Sequence, residues 1–169
     1  NLACALSSSG KKVLAIDLDP QGNLTQAFDI PVQNVSIGIS QLLQDRTLRF
    51  EDGIIQTQTG VHLIGANPLL ARTARWMVTQ TNAEIRLKQR LQGQIGYYDF
   101  ILIDASPGLG PLLNSAFNAA EYLLIPIDPG AFGYMGVQEL LNEVEEIKAG
   151  YNPMLSIIGV LATMTDRTR

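Results

Sequence analysis

Apolar residues fall along this chain in two alternating rhythms. Short unbroken runs, Val13 to Leu18, Val61 to Ile64, Phe100 to Ile103 ending on Asp104, Tyr122 to Ile127 and Leu155 to Met164, have the length and continuity of strands buried on both faces. Between them the spacing is helical. Leu2, Ala3, Ala5 and Leu6 mark a helix tail over residues 1 to 9, with Gly10 just past its end, where a positive φ costs little. Short helices are predicted over Leu24 to Phe28 and Ile39 to Gln44, with a short strand at Ile54-Ile55. Leu87, Leu91 and Ile95 recur every four residues among Arg86, Lys88, Gln89 and Arg90, as on a surface helix. A helix over Leu112 to Ala120 precedes the Tyr122 strand. Val137, Leu140, Leu141, Val144 and Ile147 then form one face of a helix whose other face carries Glu139, Glu143, Glu145 and Glu146 and which stops at Gly150. This alternation predicts an α/β fold, a doubly wound and mostly parallel sheet, in a single domain over residues 1 to 169.

Composition narrows the picture. Hydrophobic residues make up 46% and charged residues 17% of the 169, a balance that disfavours disorder and suits a sheet covered on both faces. The net charge of -4 supplies no global field toward nucleic acid or an anionic membrane, so any DNA contact must come from a local patch or from residues outside this sequence. No apolar run approaches the ~18 residues of a membrane span. The lone Cys4 cannot form an internal disulfide, and with no signal-peptide pattern at the start this favours a reducing cytoplasm. No repeat, low-complexity tract or interdomain linker is visible. The sequence opens at Asn1-Leu2-Ala3, already on a helical pattern, and is therefore expected to be a fragment.

Candidate chemistry sits where two of the predicted strands end. Asp17-Leu18-Asp19-Pro20-Gln21-Gly22-Asn23 follows one, and Asp104 closes another. An acid just past the carboxyl end of a rigid strand is presented at the crevice where open α/β sheets bind ligands. Residues i and i+2 of an extended segment point the same way, so Asp17 and Asp19 are expected to face one ligand while Leu18 packs into the core. Taken singly, an acid after a strand is more often a solvated turn residue. Two such sites together favour a metal and phosphate site, since phosphoryl transfer needs Mg²⁺ on phosphate oxygens and a group that orients the attacking water. No Gly-rich loop ending in Gly-Lys-Ser/Thr is present.

The string Gly10-Lys11-Lys12-Val13-Leu14-Ala15-Ile16-Asp17-Leu18-Asp19-Pro20-Gln21-Gly22-Asn23-Leu24-Thr25 resembles the segment after the phosphate loop of ParA-type ATPases, the deviant Walker group that includes MinD. Tyr98 to Pro107 is similar to that family's Walker B strand and second switch, and Gly110 to Ala120 to its following helix. Ile125 to Phe132 and Gly159 to Thr168 are similar to its next two blocks, in order. The resemblance implies a P-loop NTPase-like fold truncated at both ends, and a cytoplasmic, nucleoid-associated ATPase that binds ATP and Mg²⁺. It implies a homodimer on ATP binding, a ParB-like centromere-binding partner, and non-specific DNA contact through regions mostly missing here, with no membrane. Carried over by residue, Asp19 would position or activate the hydrolytic water, Asp17 would support the Mg²⁺ shell and Asp104 would hold Mg²⁺ through a water. Gln21, Gly22 and Asn23 would belong to a switch sensing the γ-phosphate, Pro107 to the second switch, and Asp166 would lie where the family contacts adenine. Ala105-Ser106-Pro107-Gly108 departs from the family's commoner Cys-Pro-Pro-Ser. Without its phosphate loop the isolated fragment is expected to be inactive.

Three other readings compete. One is a MinD-like or other deviant Walker positioning or regulatory ATPase. Another is a non-hydrolysing partner-binding scaffold, against which Asp19 argues. The third is a haloacid-dehalogenase-type phosphatase using Asp17-Leu18-Asp19, but Gln21 and Asp104-Ala105 stand where that chemistry wants other residues. His62, with no second His and no Cys beside it, is expected to have a structural or surface role. Arg72, Arg75, Arg86, Lys88 and Arg90 form a basic face that is more simply a solvated one. Trp76 and Met77 are expected in the core or an interface, and Tyr97 and Tyr98 over a sheet edge.

Overall fold

Strand β1, Val13–Asp17, is buried along its whole length, and the sheet is built outward from it. The computed structural model describes residues 1–106, 108, 110–127 and 133–163, with backbone alone for 133–137. Its contacts divide the chain into two compact units, Asn1–Ala116 and Phe117–Arg169.

In the first unit β1 is flanked by β3 (His62–Ile64) and β4 (Phe100–Asp104), both parallel to it, and β2 (Ile54–Gln56) runs antiparallel on the outer edge of β3. A polar clamp sets the β1–β4 register. The Lys12 N–H donates to Asp99 Oδ2 at 2.8 Å, and the Asp99 N–H donates to the Lys12 carbonyl at 2.9 Å. Five residues further on, that register places Asp17 opposite Asp104. Helix α1 (Leu2–Ser8) covers one face of the sheet, with Ala3 packed among Val13, Ala15, Val61 and Leu63, and the half-buried Cys4 packs against the same cluster. Leu14 and Ile16, alternating to the opposite face, are fully buried as well.

Short helices α2 (Asn23–Ala27) and α3 (Ile39–Gln44) lie within two residues of the predicted ranges. Helix α4 (Leu70–Val78) was not predicted. Its buried residues are Leu70, Thr73 and Met77, and a threonine at the middle position hides the apolar period. Thr73 Oγ1 is satisfied there, donating to the Leu69 carbonyl at 3.1 Å and accepting from Gln44 Nε2 at 2.7 Å. Helix α5 (Arg86–Leu91) is shorter than its leucine spacing suggests. It tightens into a turn over Gln92–Gln94, Gly96 takes a φ of 90°, and Ile95 is 74% exposed instead of extending the buried face. Tyr98 is buried with its hydroxyl 2.8 Å from His62 Nδ1, so His62 is structural as expected. Tyr97 stays largely exposed beneath the Lys12 ammonium.

Helix α6 (Pro111–Ala119) leads into the second unit, where β5 (Tyr122–Ile127) and β6 (Ser156–Ala162) pair in parallel with a bulge at Leu123/Leu124. Helix α7 (Gly133–Gly150) connects them and buries Val144 and Ile147, two residues of its predicted apolar face. Buried Asn152 donates through Nδ2 to the carbonyls of Phe117 and Ala120 at 2.8 and 2.7 Å, capping the C-terminal end of α6, where helix carbonyls lack intrahelical partners.

Candidate functional site

From β1 the four-stranded sheet grows through β3 to β2 on one side and to β4 on the other. The winding therefore reverses between β1 and β4, and the crevice beyond the carboxyl ends of those strands is the ligand position of an open α/β sheet. Asp17 and Asp104 end the two strands as register partners. Past them the Leu18 N–H still donates to the Asp104 carbonyl at 2.7 Å, and the Leu18 side chain is fully buried, as its place between two acids predicts.

Beyond Leu18 the chain folds into a hydrogen-bonded turn. Asp19 gives its N–H to Asp17 Oδ1 at 3.2 Å, while its own Oδ1 accepts the Gln21 N–H at 2.9 Å and its carbonyl accepts the Gly22 N–H at 2.9 Å. An aspartate that bonds the backbone two residues on pre-forms such a turn. Gly22 is required for two reasons. Its φ of 67° lies in the left-handed region, and a Cβ there would collide with Val32 Cγ1. Gln21 and Asn23 face solvent on either side of it, and Gln26 Nε2 reaches back to the carbonyls of Gln21 and Gly22 at 3.2 and 3.3 Å.

Asp17 is fully buried. Its Oδ2 accepts both the backbone N–H and the hydroxyl of Thr25, at 2.7 and 2.6 Å, and the Thr25 oxygen in turn accepts the Ala66 N–H at 2.9 Å. Burial raises the Asp17 pKa, against the hydrogen bonds from Thr25 that favour its ionised form. Asp17 and Asp19 thus do not present two equivalent carboxylates to one ligand. The first is spent on the first turn of α2 and on the Asp19 amide, and the second stands at the turn. Thr25 and Ala66 are the parts of the site that sequence reasoning left without a role. Beside them, buried Asn67 accepts from Ser40 Oγ at 2.7 Å and donates to Gln41 Oε1 at 2.9 Å, tying the loop after β3 to α3. The string Gly65-Ala66-Asn67-Pro68, turn residues directly after a strand, is the signal that could have drawn attention to it.

Asp104 opens to solvent at the rim of the crevice. Partial burial raises its pKa, and the negative charges of Asp17 and Asp19 raise it further. Three acids whose charges reach one another at a strand-end crevice favour a cation there. The donors are hard carboxylate oxygens, which suit Mg²⁺, an ion that keeps several waters and takes one or two carboxylates together with phosphate oxygens. Among the described residues no group of three or more His, Cys, Asp or Glu side chains forms a protein cage for a metal. The chemistry present therefore fits Mg²⁺ arriving with a phosphate ligand. Pro107 and Asp166 lie outside the described residues.

A family model described as an AAA domain matches residues 1–157. The chain is 37% identical over 166 residues to the chromosome-partitioning ATPase Soj of Thermus thermophilus, covering 98% of this chain and 62% of that protein. It is 34% identical over 168 residues to the chromosome partitioning protein ParA of Myxococcus xanthus, covering 98% of this chain and 59% of that protein. The chain thus spans about three-fifths of the length of these curated relatives. Among solved structures it superimposes with a TM-score of 0.94 on the cobyrinic acid a,c-diamide synthase of Mycobacterium smegmatis with a bound ATP analogue and magnesium. That match is 27% identical and covers 99% of this chain and 68% of the other.

Proposed function

This chain belongs to the ParA-type family of partition ATPases, and on that premise we propose that the full-length enzyme hydrolyses ATP with Mg²⁺ and dimerises on ATP binding. It then associates with DNA during plasmid or chromosome partition, with a ParB-like centromere-binding protein stimulating turnover. The observation that carries the reading is the register pairing of Asp17 with Asp104 beside a turn that fixes Asp19. Little covalent work falls to the protein in phosphoryl transfer, so holding groups in place is most of the task. Asp19 has one carboxylate oxygen engaged by Gln21. Its other oxygen can accept a hydrogen bond from the attacking water and orient it in line with the γ-phosphate. Asp104 would hold Mg²⁺ through a water, and Asp17 would support that shell by fixing the turn. When bound, Mg²⁺ neutralises phosphate oxygens. Exposed Gln21 and Asn23, pivoting on Gly22, would sense the γ-phosphate, with Pro107 in the second switch and Asp166 at adenine by family resemblance.

The reading treats residues 1–169 as one partial P-loop NTPase domain, cytoplasmic and nucleoid-associated. No helix among the described residues is long and apolar enough to cross a membrane. Because these residues include no Gly-Lys-Ser/Thr loop, the isolated chain is expected not to turn over ATP. The test is Asp19→Ala in the full-length enzyme. Loss of water positioning should lower kcat by roughly 10²–10⁴-fold while ATP binding persists. A variant with wild-type kcat would remove Asp19 from the mechanism.

A further inference from the structure

The cleft between α3 and α5 is lined by Leu42, Leu43, Arg46, Arg86, Gln89 and Arg90 and has a volume of about 180 Å³. It shares no residue with the aspartate turn. Three of its six side chains are guanidiniums, on a chain whose net charge is -4. None of the three forms an ion pair among the described residues, where the pairs are Arg49–Asp52 and Lys148–Glu145. The nearest acid in sequence, Asp45, lies within electrostatic reach of Arg90 but forms no ion pair with it, and its Oδ1 is occupied by the N–H and hydroxyl of Thr47 at 2.8 and 2.6 Å.

Two of the arginines are held rigidly. Arg86 donates through Nη1 to the Leu43 carbonyl at 3.1 Å, and its guanidinium lies 4.8 Å from the centroid of the Trp76 ring. Arg90 donates through Nη2 to the Leu48 carbonyl at 2.7 Å. Each guanidinium has five N–H donors, so one hydrogen bond to a carbonyl leaves most of its capacity unused, and both Nε–H groups are buried with no acceptor among the described residues. Burial, and after it the positive charge of Arg46, lowers the Arg86 pKa, so these cations repel one another across the cleft.

We propose that this cleft is a binding site for a phosphate-class oxyanion, with Arg86 and Arg90 as its fixed donors and exposed Arg46 closing over the ligand. A tetrahedral dianion is small enough for the volume. It supplies several acceptor oxygens to donors that now have none, and it replaces the repulsion among the cations with attraction. The same chemistry could come from free phosphate or from a phosphodiester backbone.

Trp76 is the only tryptophan of the sequence and its ring lies 4.8 Å from the Arg86 guanidinium, so its fluorescence reports this cleft. Titration with inorganic phosphate at constant ionic strength should change Trp76 emission saturably. Arg46→Gln, at an exposed position with no hydrogen bond to lose among the described residues, should weaken that response about tenfold, the size of one charge-assisted hydrogen bond. Asp104→Ala should leave it unchanged. Competition by a short duplex DNA for the same Trp76 signal would identify backbone phosphate as the source, and its absence free phosphate. A flat Trp76 titration overturns the proposal, as does an Arg46→Gln response identical to wild type.

Discussion

Thr25 shows how one side chain can hold a site that it never touches chemically. Its hydroxyl donates to Asp17 and accepts from Ala66, and all of these groups are buried. Thr25→Val keeps the shape and strands two partners at once. Leaving a buried acceptor and a buried donor unmade should cost about 2–4 kcal/mol, read as a lower urea midpoint at unchanged m. Thr25→Ser keeps the hydroxyl and should recover most of that loss, and equal costs for the two variants would show that packing, not hydrogen bonding, sets the position. Asp104 makes the opposite prediction. Its raised pKa means that the folded chain holds the proton more tightly than the unfolded chain does. The resulting stabilisation is complete below the ordinary aspartate range and is lost as pH rises through the folded pKa. Without Mg²⁺, Asp104→Asn should therefore be more stable than wild type at pH 7, with the two denaturation curves converging as pH falls. A gap that widens toward acid would reverse the assignment.

Among the elements, the turn between β1 and α2 carries the sharpest prediction. Gly22→Ala forces a Cβ into both a left-handed backbone and Val32. It should cost about 1–3 kcal/mol in thermal or urea unfolding, and an unaffected midpoint would mean the turn relaxes freely. The strands were legible because they are continuous apolar runs, although only Val13 to Asp17 is buried throughout as such a run predicts, while Phe100 to Asp104 is exposed at both ends and half-buried between them. The acids at their ends were legible for the same reason, since a run that stops on a carboxylate marks its own boundary. Elements with polar residues in buried positions were not. Thr73 in α4 and Gln94, whose Nε2 reaches Glu51 Oε1 at 2.9 Å, bury side chains that a hydrophobic pattern counts as solvated. The partner of Asp17 was hidden for a related reason, because a hydrogen bond between residues 17 and 25 has no periodicity to betray it.

At the level of the whole molecule, burial is uneven. Every residue of β1 is inaccessible, whereas Ile158, Val160 and Leu161 of β6 are each more than half exposed. Amides of β1 should exchange hydrogen only through global unfolding, and those of β6 through local opening at least about 10²-fold faster at the same pH. Equal protection in the two strands would show that β6 is covered in solution by something outside these residues. The reading of the chain as a partition ATPase then rests on a small part of this body, the meeting of β1 and β4. Because the Leu18 amide is bonded to the Asp104 carbonyl, the two acid-bearing tips are yoked at the backbone. Damage that displaces one carboxylate should therefore be felt at the other, and the crevice should fail as a pair.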